Sequence, residues 1–288
     1  MTALDHDDAP RGPAGRDPEG FSDALTYAFS DPAGDVCGVA RLGLSGEGAS
    51  GLVTLFRGGE QLAVQADGDG EAAARWEDVR AAGLATETLE PGLRWRLRHD
   101  GETTGLDLEF EAVGAPFALA ADSPVGRAGG MEGFDVACRV AGTVDGQAFA
   151  GLGQRGRSWG APDWERMTLA RTLTAWFEEG RGVSAVAIRP TGASNHADEV
   201  VAAFVLDEEV REVADVRIST TYDASERQRA AGLELYVAPE DDYPQRIAGE
   251  AVAGTSLDLG RLRLECAFFR WRTGGQEGVG RYDVLRRV

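Results

Sequence analysis

Apolar and polar residues alternate along most of this chain with a period of two. In RWRLR, Trp95 and Leu97 face one way and Arg94, Arg96 and Arg98 the other. In LDLEFE, Leu106, Leu108 and Phe110 alternate with Asp107, Glu109 and Glu111. Successive side chains of a strand leave opposite faces, so each run predicts a strand with one buried and one wet face. Asp100-Gly101 lies between the two runs and suits the positive φ angles of a tight turn, which predicts an antiparallel hairpin. Asp145-Gly146 divides RVAGTVDGQAFAGLG in the same way. Val216, Ile218, Thr220 and Tyr222 align in DVRISTTY, and further strands are predicted at LELYV and LRLECAFF. In the last of these Leu262, Leu264, Cys266 and Phe268 share a face, whereas Phe269 and Trp271 fall on the opposite one. A bulge near Ala267, or burial on both faces, would account for the change of parity.

Two segments also fit a helix. RMTLARTLTAWF, from Arg166 to Phe177, carries Leu169, Leu173 and Trp176 at helical spacing, but its three threonines favour a strand. EAAARWEDVRAA is the other. With roughly sixteen to eighteen candidate strands about 8 to 12 residues apart, the pattern is that of a sandwich or barrel, and the expected fold is all-β. The Pro- and Gly-containing stretch APFALAADSPVGRAGGM predicts a domain junction. The expected organisation is a tail over residues 1–20, one β-domain over 21–125 and another over 126–288.

The 288 residues hold 48 acidic and 29 basic side chains, a formal charge of −19, and every basic residue is arginine. Such a surface repels polyanions, which argues against nucleic acid or an anionic membrane as partner. Salt adaptation and a GC-rich genome both explain the absence of lysine. No apolar run approaches the roughly 18 residues of a membrane span. The tail MTALDHDDAPRGPAGRDPEG is acidic, rich in Pro and Gly and without a signal-peptide pattern. It is expected to be disordered, in a cytoplasmic protein. Cys37, Cys138 and Cys266 are scattered through apolar runs and are expected to be small buried hydrophobes.

The chemically dense stretch is GLGQRGRSWGAPDW, Gly151 to Trp164. As a strand it places Arg155, Arg157 and Trp159 on one face and Gln154, Gly156 and Ser158 on the other. Guanidinium groups beside an indole favour cation–π stacking, and Asp163, returned by the Gly160-Ala161-Pro162 turn, could accept a bidentate arginine bond. Such a cluster either closes a barrel end or floors a pocket. Elsewhere the chain has no nucleotide-binding glycine loop, no nucleophile elbow and no zinc-protease motif. His6, His99 and His196 stand apart from one another, so neither a metal nor a cofactor is expected.

GLGQRGRSWGAPDW resembles the RDxSWGxRDW signature of a family of two-domain, lipocalin-like β-barrel proteins related to carotenoid hydratase (hydroxyneurosporene synthase) and to AttH-like proteins, with tocopherol cyclase a more distant cousin. FSDALTYAFSDPAGDVCGVARLGL resembles the family's opening strands, MEGFDVACRVAGTVDGQAFAGLG its approach to the signature, and FFRWRTGGQEGVGRYDV its closing strands. The resemblance implies two packed antiparallel lipocalin-like barrels with an apolar cavity for a lipid or isoprenoid. Carotenoid hydratases protonate an alkene and capture the cation with water, which needs a protonated carboxylic acid in an apolar pocket beside aromatic faces. The positions matching the signature are Arg155, Arg157, Ser158, Trp159, Asp163 and Trp164. This chain departs from it at Gly156, where the signature carries aspartate, and at Pro162, where it often carries arginine.

Two functions are therefore expected. One is binding of a hydrophobic small molecule without turnover, lined by Arg155, Arg157, Trp159, Trp164, Tyr222 and Trp271. The alternative is a cofactor-independent hydratase or cyclase acting on a terpenoid or carotenoid double bond, with Asp163 as the acid.

Overall fold

The computed structural model describes residues 9–11, 20–71, 73–177, 180–193 and 198–288. Among them, β1 (Ser22–Ser30), β2 (Val36–Ser45), β3 (Gly48–Arg57), β4 (Glu60–Gly70), β5 (Leu84–Glu90), β6 (Arg94–Asp100), β7 (Gly105–Ala112), β8 (Phe117–Leu119), β9 (Met131–Val144) and β10 (Gln147–Gly160) form one sheet. A second sheet contains β11 (Met167–Phe177), β12 (Gly182–Pro190), β13 (Val200–Asp207), β14 (Glu209–Glu212), β15 (Asp215–Tyr222), β16 (Gln228–Tyr236), β17 (Gln245–Asp258), β18 (Leu262–Thr273) and β19 (Gln276–Arg287). One short helix, α1 (Pro124–Gly129), precedes β9 and is capped by Ser123, whose Oγ accepts from the Gly126 amide. The fold is all-β: two curled antiparallel sheets, each forming a half-barrel.

Both sheets follow one path. The order β4-β3-β2-β1-β10-β9-β7-β6-β5 in the first matches β14-β13-β12-β11-β19-β18-β17-β16-β15 in the second, with β8 added beside β9. In each, the opening strand pairs with the closing strand, β1 with β10 and β11 with β19. Glycines permit the close approach at equivalent points. A Cβ on Gly153 would stand 2.2 Å from the Ala28 carbonyl oxygen, and one on Gly280 2.0 Å from that of Thr174.

The strand alternation translates directly into cores. Leu25, Tyr27, Phe29, Trp95, Leu97, Leu108 and Phe110 point into the first half-barrel, and Leu173, Ala175, Leu233, Phe269, Trp271 and Tyr282 into the second. Burying each large side chain stabilises the fold by roughly 1.5–3 kcal/mol. The outer faces of β1–β3 pack against β11 and β17–β19 through Ala28, Cys37, Val39, Phe56, Trp176, Cys266 and Phe268. This explains the parity change in β18. Cys266 and Phe268 face the other barrel while Phe269 and Trp271 face their own core, so both faces are buried. The bulge lies on the partner strand, between Ala251 and Ala253.

Several expectations change. The sheets part between Gly160 and Met167, not at residues 125 and 126, because β9 and β10 belong to the first sheet. The Pro- and Gly-rich stretch instead carries β8 and α1 within the first sheet's sequence. Asp145-Gly146 is the expected two-residue turn, with φ of 52° and 70°. At Asp100-Gly101 the hairpin forms, but its loop runs to Thr104, whose carbonyl accepts from the Gly101 amide. Met167 to Phe177 is strand, and the described residues of EAAARWEDVRAA include a 3-10 turn at Trp76–Asp78. Of the expected disordered tail, residues 1–8 and 12–19 lie outside the described residues, as do His6 and His196. Ala9 and Arg11 are docked on the first barrel: the Ala9 carbonyl accepts from Arg157, and the Arg11 amide donates to Asp23. No helix of the described residues is long and apolar enough to cross a membrane.

Candidate functional site

The residues singled out in Gly151 to Trp164 separate into two environments because β10 has two faces. Arg155, Arg157 and Trp159 share one face, as their spacing predicts, and that face points into the first barrel. The partner of Arg157 is Asp23 on β1, not Asp163: Nε and Nη2 donate to the two carboxylate oxygens at 3.2 and 2.8 Å, with both side chains sealed from solvent. Arg155 stacks over Trp95 and Phe134 at 4.8 and 5.4 Å. The Arg11 guanidinium covers Trp159 at 3.6 Å. The Asp23–Arg157 ion pair is the centre of this cluster, and Arg157 Nη1 is buried beside it without a hydrogen-bond partner among the described residues. Breaking one partner of such a buried pair is costly.

The other singled-out residues do not join it. Asp163 is exposed in the segment between the sheets, where its carboxylate accepts from the Glu165 amide at 2.9 Å. That is a turn-forming contact, not the apolar surroundings of a proton donor. Trp164 packs beside Val125, Met167 and Ile188. Tyr222 sits at the end of β15 with the Arg286 guanidinium 6.0 Å from its ring. Trp271 is fully buried in the second core, stacked on Phe269 at 5.0 Å. Also in the second barrel, Arg171 is paired with Glu199 and donates to Tyr282 Oη at 3.1 Å.

The opposite face of β10 carries the candidate site. Cross-strand register aligns Asp135 on β9, Gly156 on β10, Thr26 on β1 and Arg41 on β2 in one row on the outer face of the first sheet. Ser184 on β12, Thr174 on β11 and Arg281 on β19 form the corresponding row on the second. The rows face each other. Asp135 Oδ2 accepts from Ser184 Oγ at 3.3 Å across the interface, and Oδ1 accepts from Gln154 Nε2 at 3.1 Å. Arg281 is ion-paired with Asp283. Thus the polar part of the inter-barrel surface continues from the apolar part formed by Ala28, Val39, Trp176 and Phe268.

Gly156 explains the position of the carboxylate. A Cβ on this residue would stand 2.3 Å from Asp135 Oδ1. Asp135 therefore occupies the space that a side chain at 156 would fill, directly across the ladder from it. Nothing in MEGFDVACRV marks Asp135 as special, since it alternates with Phe134 and Val136 like any outward-facing strand residue. The detectable signal was Gly156 itself, and only the register of β9 on β10 connects the two.

Burial pushes the Asp135 carboxyl up to about 6, against the opposing influence of Arg281 and the Ser184 hydrogen bond. Asp135 is surrounded by protein and yet retains part of its surface open to solvent, as do Thr26, Arg41 and Arg281. These partly open side chains mark the candidate cleft between the two sheets. Gln154 Oε1, Thr174 Oγ1 and Arg281 Nε are buried there without a protein hydrogen-bond partner, so the cleft is suited to water or a polar ligand group. Burial also works against charge on Arg281, but Asp283 outweighs it and holds the guanidinium protonated. Among the described residues, no group of three or more His, Cys, Asp or Glu side chains is placed to hold a metal ion.

The fold has solved relatives. An AttH-like protein (NE1406) of Nitrosomonas europaea superposes with a TM-score of 0.68 at 13% identity, covering 100% of both chains. CghA, solved with Sch210972, gives 0.67 at 11% identity over 93% of this chain and 89% of its own. Kievitone hydratase from Nectria haematococca gives 0.62 at 11% identity over 93% and 90%. At these identities the likeness shows a shared lipocalin-like fold. Among curated proteins none matches the sequence. The family model DUF7064, described as a domain of unknown function, matches residues 5–288, and the chain belongs to that family.

Proposed function

We propose that this protein is a cofactor-independent lyase of the hydratase or cyclase kind, acting on a carbon–carbon double bond in the cleft between its barrels, with Asp135 as proton donor. The observation that carries the proposal is a carboxyl that is buried, reachable from solvent and raised to about 6. An acid with a pKa near the working pH is protonated often enough to donate and is a strong enough donor to be useful. In the step, the alkene π pair takes the Asp135 proton to form a C–H bond, leaving a carbocation at the other carbon and a carboxylate on Asp135. Water adds to the cation through oxygen and loses a proton to solvent, or an internal nucleophile closes a ring. Ser184 and Gln154 then stabilise the carboxylate by donating to it.

The fold relatives support this class, because one is named a hydratase. Arg155, Arg157 and Trp159 would act indirectly, fixing β10 from inside the barrel so that Gly156 and Gln154 face the cleft. Simple storage of a greasy molecule inside a barrel has less support, since both interiors are filled by large side chains. An open groove of 330 Å³ beside β5 has Arg75, Glu77, Arg80, Glu87 and Arg98 in its lining, a charged wall that does not include Asp135.

The test is turnover in deuterium oxide with a panel of prenylated phenols, unsaturated acids and terpenoid alkenes. Mass spectrometry should find one solvent deuteron bound to carbon in the product, lost with Asp135→Asn. Product formation that Asp135→Asn leaves intact would remove Asp135 from the role, and no turnover across the panel would return the protein to a binding function.

A further inference from the structure

We infer that Arg41 is an anion-binding residue and that the cleft takes a substrate carrying a carboxylate or similarly acidic oxygen. The inference rests on the cleft being the reaction site and specifies its substrate class. Arg41 stands at the far end of the row that begins with Asp135, separated from it by Gly156 and Thr26. The two strands between β9 and β2 set Asp135 and Arg41 roughly 14 Å apart at the backbone, and we take this span, which carries only Gly156 and Thr26 between them, as a trough floored by small residues. Thr174 forms the opposite wall.

Arg41 differs from the other arginines of the interior. Arg157 has Asp23, Arg171 has Glu199 and Arg281 has Asp283. No described residue gives the Arg41 guanidinium a hydrogen bond or an ion pair, although protein encloses it on most sides. The charged groups around it are Arg281, Asp283 and Asp23. Both carboxylates are already committed to other arginines, and Arg281 repels it. When Asp135 holds the proton it would donate, the trough contains two guanidinium groups and one carboxylate, so one positive charge is uncompensated. Its planar fork suits a carboxylate bound through both oxygens. An anionic group seated there would orient an unsaturated chain along the trough, with the double bond towards Asp135.

The experiment uses native mass spectrometry on the full chain with a defined mixture of unsaturated C10 to C20 monocarboxylates and an equal amount of their methyl esters. Wild-type protein should retain acids over esters by at least ~10-fold, a difference of about 1.4 kcal/mol. Arg41→Gln and Arg41→Met should abolish that preference without lowering the melting temperature, because neither removes a partnered group. Asp135→Asn should keep the preference, which separates the anion site from the proton donor. If the acids stay preferred but Asp135→Asn does not affect deuterium incorporation, the anion site stands and the proton-donor assignment falls. Equal retention of acids and esters by wild type, retention of neither, or an acid preference that survives both Arg41 variants overturns the inference.

Discussion

Replacing Asp135 with asparagine is expected to stabilise the folded protein at neutral pH, although the carboxyl is hydrogen-bonded on both oxygens. Burial moves its pKa from the ordinary 3.8 to about 6. At about 1.4 kcal/mol per pH unit, holding the ionised form in the cleft costs about 3 kcal/mol. The sign follows from linkage. The folded state binds this proton more tightly than the unfolded chain, so the Asp135 contribution is fully present below about pH 4 and is lost as pH rises to about 6. Asparagine retains an acceptor for Gln154 and can turn its amide to Ser184 Oγ, so the packing and most of the hydrogen bonding survive. Guanidinium denaturation of both proteins between about pH 4 and 7.5 reads the difference. It should be near zero at the acid end, grow across the interval and reach up to ~3 kcal/mol in favour of the variant at neutrality. A variant that is less stable than wild type at neutral pH, or a difference that does not change with pH, would refute the placement of an ionisable acid in a desolvating cleft. The expected gain with loss of turnover is the signature of a site maintained against stability.

Gly156→Ala should displace the Asp135 carboxylate, since the added Cβ would stand 2.3 Å from Oδ1. The expectation is a loss of ~1–3 kcal/mol by denaturation together with loss of deuterium incorporation. Unchanged activity would show that the carboxylate does not need this space. Arg157→Met leaves Asp23 buried without its arginine. A loss of ~3–5 kcal/mol is expected, and the double variant with Asp23→Asn should recover much of it in a double-mutant cycle. Burial pushes the Cys138 thiol up to about 12 and raises Cys37 and Cys266 as well. All three should resist a thiol reagent at about pH 8 until the protein unfolds, then react together. Rapid labelling of any one in the native state would contradict its burial.

The sequence by itself determined the local structure. Period-two alternation in RWRLR and LDLEFE places Trp95, Leu97, Leu108 and Phe110 in a core because a strand can present them to only one face. Asp145-Gly146 makes its turn because those residues tolerate positive φ. The same periodicity put Arg155, Arg157 and Trp159 on one side of β10. Which side, and against what, was a tertiary matter. Asp23 and Arg157 are 134 positions apart and meet because β1 pairs with β10. Asp163 is near Arg157 in the chain but in a different environment. The candidate site is still less local, because its acid comes from β9, its space from a glycine on β10, and its facing wall from β11, β12 and β19. Strand pairing and barrel packing bring these groups together through contacts between residues far apart in sequence. Alternation fixes a residue's face, whereas register and the packing partner decide whether that face meets water, core or chemistry.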